Sequence, residues 1–410
     1  MLSGGGESVS EHNCALSRCG KRFWATKPLG STDKRAENHK LPRESRLTAP
    51  IPPGQSEKSA LPGAGVGSGR REVTGSALVP AVGSVNAAPG LRRLAVTEVP
   101  SSDNRKSAEV VLRMGTQPEA APPPSPHRFP DGAHFRIEIP SVEGPEALAA
   151  VFEAAEPLGV LVNRVSQGSG AMLQSEAELR EMARIGADRG IEVSLFVGPR
   201  EEWDLGASSR SPDGPGFAGR VRGARQLRYA YEDVQRAIEQ GIRSFLVADS
   251  GLLEVLADSQ RRGEIPSETV WKVSALMAPT NPATFAQLER LGASTINVPS
   301  DMTLGQLGEL RSVSELPIDL YVESPDGTGG IVRGHEVGDL VTVAAPLYAK
   351  FGLRNSRGLY PSGLHLRNDV IAIAREKVRR AAIALEWLER LAPGLVQSGP
   401  GAKGLGIPAP

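Results

Sequence analysis

The stretch APLYAKFGLRNSRG (Ala345–Gly358) decides how the chain is read. Leu347, Ala349, Phe351 and Leu353 share one parity; Tyr348, Lys350, Gly352 and Arg354 share the other. Successive side chains of a strand point to opposite faces. One face is therefore apolar and the other carries two cations. A strand with an apolar back and a charged front fits the wall of a barrel, whose outer parity meets helices and whose inner parity meets the lumen.

The same character recurs upstream. Short β-rich runs lie at 135–140 (FRIEIP), 160–165 (VLVNRV), 191–197 (IEVSLFV), 244–249 (SFLVAD), 270–277 (VWKVSALM), 294–299 (STINVP) and 318–324 (IDLYVES). With 346–353 they make eight. Amphipathic stretches such as SEAELREMARIGADRG and NPATFAQLERLG separate them, several ending in Gly. Ser175 and Glu178 have the spacing of a capping box; Ser300 or Asp301 reads as the cap of the helix after the sixth run. Eight strand–helix units predict a (β/α)8 TIM barrel over 129–395, closed by the helix 367–391. An open doubly wound sheet seldom spaces eight strands so evenly. One spacing breaks the rhythm: 200–226 is long enough to be a lid or binding loop. The Gly/Pro-rich segment 396–410 reads as a flexible tail.

Residues 1–128 show no sustained periodicity and read as disordered, either a targeting leader or sequence upstream of a true start at Met114. Formal net charge is zero over 410 residues, although 1–114 hold 17 Lys and Arg against 10 Asp and Glu. That overall balance gives no reason to expect a nucleic-acid partner. No apolar run approaches membrane-spanning length, and no secretory signal opens the chain. Both cysteines, Cys14 and Cys19, precede the barrel, which leaves it without a thiol nucleophile or disulfide. A reducing cytoplasm fits this usage.

Outward parity assigns the inward set by elimination: Arg136 and Glu138; Glu192, Ser194 and Phe196; Lys272 and Ser274; Asn297; Asp319, Tyr321 and Glu323; Tyr348, Lys350 and Arg354. Arg164 and Asp249 lie near the ends of the second and fourth runs. Buried charges must pair or bind something charged. Arg136, Glu192 and Asp319 fall early in their strands and read as pairing residues. Glu138, Lys272, Asn297, Glu323 and Lys350 fall later, toward the catalytic rim, and are the candidate catalytic set. Two chemistries fit. Glu138, Asp249 and Glu323 offer hard oxygen ligands for Mg or Mn. A desolvated lysine beside a second cation is a base or imine-forming nucleophile, which points to Lys272 or Lys350. Glu323 or a lysine would serve as general acid or base. The SPDGTGG loop with Gly329 and Gly330, together with Arg354, suggests an anion site. Arg164, Arg200 and Asp249 complete the candidate substrate-binding set. No zinc spacing and no GxSxG elbow occur in the barrel.

The segments FRIEIP, GSGAML, LFVGPREEWDLGA, FLVADSGLL, KVSALM, INVPSDMTL, LYVESPDGTGGIVR and KFGLRNSRGLYPSGLHL resemble bacterial proteins grouped with the collagenase-like peptidases of unknown catalytic type, family thirty-two of that class. The resemblance spans nearly all of the periodic region. It implies a barrel and a peptidase. The family's cysteine-bearing signature and C-terminal extension are absent, so no catalytic residue carries over. The expected function is a hydrolase acting on an anionic small molecule or a peptide. The alternatives are a lyase, aldolase or isomerase on a small oxyacid or sugar phosphate, and a non-catalytic ligand-binding barrel.

Overall fold

The computed structural model describes residues 109–113, 115, 121–203, 206–212 and 214–410. Strands and helices alternate: β1 (Phe135–Pro140), α1 (Pro145–Leu158), β2 (Arg164–Gln167), α2 (Glu176–Arg189), β3 (Glu192–Phe196), α3 (Gly223–Glu239), β4 (Ser244–Val247), α4 (Ser250–Arg261), β5 (Val270–Val273), α5 (Pro282–Arg290), β6 (Thr295–Asn297), α6 (Leu304–Arg311), β7 (Ile318–Glu323), α7 (Val337–Ala344), β8 (Leu347–Phe351) and α8 (Arg367–Leu391). All neighbours pair in parallel, and β8 returns to β1, closing the sheet. This is the TIM barrel that the alternating runs predict.

The main core lies between the strands' outer faces and the helices. Ile137, Val165, Leu195, Phe245, Trp271 and Leu320 are fully buried there. The predicted capping box at Ser175 and Glu178 forms. The cap of α6 is instead Thr303, reciprocally bonded with Gln306, because the chain makes one more turn past Ser300 and Asp301 before entering the helix. β2 begins at Arg164, later than the predicted run, so Arg164 sits low in the wall instead of near the rim. No helix among the described residues is long and apolar enough to cross a membrane.

The two flanking segments depart from expectation where they are described. Residues 396–410, read as a loose tail, cross the N-terminal end of the barrel. The Ser398 N–H donates to Phe135 O, the Gly401 N–H to Gly190 O, and the Ala409 N–H to Gly241 O. Arg136 donates from Nε to Ser398 Oγ (3.0 Å) and from Nη2 to Lys403 O (2.7 Å). Buried polar groups at the barrel floor need partners, and this segment's backbone and the Ser398 hydroxyl supply them. Part of 121–128 is likewise built in: Ser125 is buried and its N–H donates to Thr342 O. Residues 109–113 form a short exposed helical stretch, while 1–108, Met114 and 116–120 lie outside the described residues, and both cysteines with them.

Candidate active site in the barrel lumen

Parity turns Glu138, Arg164, Glu192, Lys272, Asp319 and Lys350 onto one axis. Glu138 is the hub. Its Oε2 accepts from Arg164 Nε (2.8 Å) and Nη2 (2.6 Å). Its Oε1 accepts from Ser166 Oγ (2.6 Å) and from Lys272 Nζ, and Lys350 Nζ lies 3.6 Å away. Arg164 also pairs with Asp319 (2.5 Å) and Glu192 (3.5 Å), and its guanidinium lies 3.4 Å above the Tyr348 ring. Below this layer Arg136 donates to the Tyr348 hydroxyl (2.9 Å), which donates to Glu192 (3.3 Å). Arg136, Glu192 and Asp319 are thus paired, as their low positions predict. Arg164 belongs with them and is not free to bind substrate.

Lys350 is the top of the network. It donates to Asn297 Oδ1, lies 4.1 Å from the Tyr321 ring centroid, and lies within hydrogen-bonding reach of Lys272. Asn297 is fixed by its own donation to Val273 O (2.7 Å). The side chains of Glu138, Arg164, Lys272 and Asp319 are wholly buried, while Lys350 keeps 4% exposure. Burial would raise the Glu138 carboxyl, but Arg164, then Lys272 and Lys350, outweigh it and hold it well below the usual carboxylate range. Burial, with Arg164 adding to it, draws Lys272 down to about 7. Burial lowers Lys350 as well, against the pull of Glu138 and Asp319. The structure therefore brings Glu138, Lys272, Asn297 and Lys350 together.

Glu323 does not join them. β7 carries a bulge: Tyr321 faces Lys350, but Glu323 pairs with the outward Phe351. The carboxylate therefore leaves the lumen, accepts the Arg354 N–H (3.0 Å) and lies 3.7 Å from Arg380 of α8. Asp249 caps α4 by accepting the Leu252 N–H (2.9 Å) and also takes the Val221 N–H (3.2 Å). The proposed Mg or Mn set of Glu138, Asp249 and Glu323 is thus dispersed. The described residues contain no group of three His, Cys, Asp or Glu placed to hold a metal ion. Gly329 and Gly330 do not form an anion nest, because their N–H groups donate within the loop to Asp326 O and Pro325 O. Arg354 lies beyond β8 with a 58% exposed side chain and faces Asp326 at 3.8 Å. The 200–226 loop is tied down through Val221 and Asp249 and by Arg222 against Glu201.

Sequence reasoning missed a second layer around the mouth. Tyr360, from the loop after β8, has its hydroxyl 2.5 Å from Ser141 Oγ, and its ring lies across Gly168 so closely that a Cβ there would be 2.4 Å from it. The Ser362 N–H donates to Ser169 Oγ (2.7 Å), so this loop is pinned to the β1 and β2 ends. Lys377 of α8 is buried, donates to Pro140 O (2.7 Å) and has Glu143 as its counter-charge. A signal for it existed: Lys377 falls within the apolar stripe Val370, Ala374, Val378 and Ala381.

Burial brings Lys377, like Lys272, down to about 7. Between that value and the ordinary lysine range near 10.5, the unfolded chain binds more protons than the native one, so stability rises with pH. The urea midpoint is expected to increase from pH 7 to pH 9.5. In Lys377→Met it should start higher at pH 7 and climb less. A wild-type midpoint flat across this window would contradict the assignment.

No family model matches the chain, and no curated protein matches it. Solved structures similar to it include CutC from Streptococcus agalactiae, at 14% identity over 52% of this chain and 98% of that one, with a TM-score of 0.38. A U32 peptidase is similar at 19% identity over 47% of this chain and 70% of that one, with a TM-score of 0.31. At these identities the likeness is one of fold.

Proposed function

We propose that the protein is a barrel enzyme of the lyase or aldolase kind, in which Lys350 forms an imine with a small oxo acid. One observation carries this reading. Among the described residues the lumen network holds four cations, Arg136, Arg164, Lys272 and Lys350, against three carboxylates, Glu138, Glu192 and Asp319. A dry site with an excess cation favours giving up a proton from the group least well paired. Lys350 is that group: its nearest oxygen belongs to the neutral Asn297, and Glu138 stands 3.6 Å off.

The free amine attacks the substrate carbonyl carbon, forming a C–N bond. The carbonyl oxygen leaves as water once protonated. Lys272, near its midpoint at neutral pH, supplies that proton and recovers it when the imine is hydrolysed. The resulting iminium withdraws electrons from the neighbouring carbon–carbon bond, the chemistry such enzymes require. A peptidase, the first expectation from the family resemblance, would need a carboxylate or nucleophile free to act. Glu138 is fully engaged by Arg164, Ser166 and Lys272 and is not available as a base.

Borohydride in the presence of pyruvate is expected to add the reduced three-carbon unit to Lys350, read by peptide mass. Lys350→Met should abolish the adduct. Trapping at another lysine, or none, would overturn this reading. If wild type gives no adduct and Lys350→Met raises the melting temperature, the network is a structural ion plug.

A further inference from the structure

Lys350 lies beneath a covered mouth: it is 3% exposed, and Asn297 beside it 1%. Ser166 Oγ and Lys350 Nζ approach the same oxygen of Glu138, at 2.6 and 3.6 Å, which sets them at one level of the lumen. Gly168 follows two residues after Ser166, with the lumen-facing parity of Arg164 and Ser166, and so stands about 6–7 Å higher. The tip of Tyr360 fills the place above them. A Cβ on Gly168 would be 2.4 Å from both Cζ and Oη of that ring. The Tyr360 and Tyr321 phenols are close enough to interact electrostatically, and the Tyr321 ring centroid is 4.1 Å from Lys350 Nζ. Tyr360 is thus the stopper over the lysine.

Three loops cover this end of the barrel, and they are held unequally. The 200–226 loop lies on the end of β4, where a Cβ on Gly219 would be 2.5 Å from Ala248 Cβ. It is laced by the Glu201 N–H to Arg220 O and the Glu202 N–H to Ala218 O. The loop after β7 lies on the end of β8, where a Cβ on Gly352 would be 2.7 Å from Pro325. It is laced by the Ser324 N–H to Ile331 O and the Arg333 N–H to Val322 O. The stretch after β8 has no such lacing. Among the described residues, 356–362 make no backbone–backbone hydrogen bond to the barrel. The Tyr360 hydroxyl at Ser141 Oγ (2.5 Å) and the Ser362 N–H at Ser169 Oγ (2.7 Å) tie it to the β1 and β2 ends. The buried Leu359 and the exposed Arg357–Asp369 pair anchor the rest, while Tyr360 itself is 49% exposed. The wall beneath is fixed by contrast. Gly168 donates to Glu143 (2.7 Å) and accepts from Arg200 (3.0 Å). Arg200, a predicted substrate contact, is spent here, buried against the Phe196 and Trp203 rings.

We infer that Tyr360–Ser362 is the gate of the lumen. Segments with few backbone hydrogen bonds and few buried contacts open at the lowest cost. The loosest of the three covers is therefore the one that opens. Tyr360 swings off Gly168 between hinges at Gly358 and Gly363, and Lys350 meets solutes only while it is away. Leu359 stays in the core as the anchor. The gate does not depend on the imine reading, since any solute reaches Lys350 by the same opening.

The test reads access to Lys350 directly. Formaldehyde with cyanoborohydride dimethylates unprotonated amines, and peptide mass gives the rate at each lysine of the full chain. Lys272, below Lys350 and wholly buried, is the internal reference. In Tyr360→Ala the Lys350 rate relative to that of Lys272 should rise about tenfold, the weight of one lost hydrogen bond. An unchanged Lys350 rate overturns the gate. So does an equal rise at both lysines, which marks opening of the whole barrel. Neither result bears on the imine reading, which trapping with pyruvate decides. Should Tyr360→Ala melt below the assay temperature, Tyr360→Phe replaces it, keeping the ring and losing the hydroxyl tie. A rise at Lys350 alone then supports the gate, and no rise overturns it.

Discussion

Glu138→Gln is expected to destabilise the barrel by roughly 3–5 kcal/mol, the usual effect of removing one partner of a buried ion pair. The substitution is almost isosteric, so the loss is electrostatic. Arg164, Lys272 and Lys350 all converge on this carboxylate, and no other acid reaches Lys350 so closely. Urea denaturation at pH 7 measures the change. Adding Lys272→Met should recover much of it, since the double variant loses one charge of each sign and the two sites share a hydrogen bond. A Glu138→Gln protein as stable as wild type would show that Glu138 is not the hub.

Removing residues 396–410 should have an effect of the same order or larger. The segment satisfies Arg136 at Nε and Nη2, accepts from Asn163 Nδ2 at Ser398 O (2.9 Å), and donates the Gly406 N–H to Glu192 (3.3 Å). Each buried group left without a partner costs about 1–3 kcal/mol, and total stabilities of such domains are about 5–15 kcal/mol. The truncated chain is expected to be recovered largely unfolded, read by near-ultraviolet circular dichroism and urea titration. A truncated protein with the wild-type midpoint would make the segment an ornament.

The barrel and much of its lumen were legible because period-two alternation is a local property. Once Ile137 and Ile139 face helices, Glu138 must face inward; the same logic places Lys272, Asn297 and Lys350. Three kinds of residue escaped it. Glu323 lies beyond a bulge, which parity counting passes over. Asp249, Gly329 and Gly330 look functional by type, but their hydrogen bonds close within a few residues, and that accounting needs coordinates. The 396–410 segment has no periodicity, and its order comes mostly from backbone groups that every residue carries, helped by the Ser398 hydroxyl.

The irregularity in β7 has a chemical consequence. A straight strand would turn Glu323 inward above Tyr321 and set four acids against four bases. That interior would be electroneutral, each lysine a salt-locked ammonium with nothing to offer an electrophile. The single extra residue ejects the fourth acid and leaves the lumen one carboxylate short of its cations.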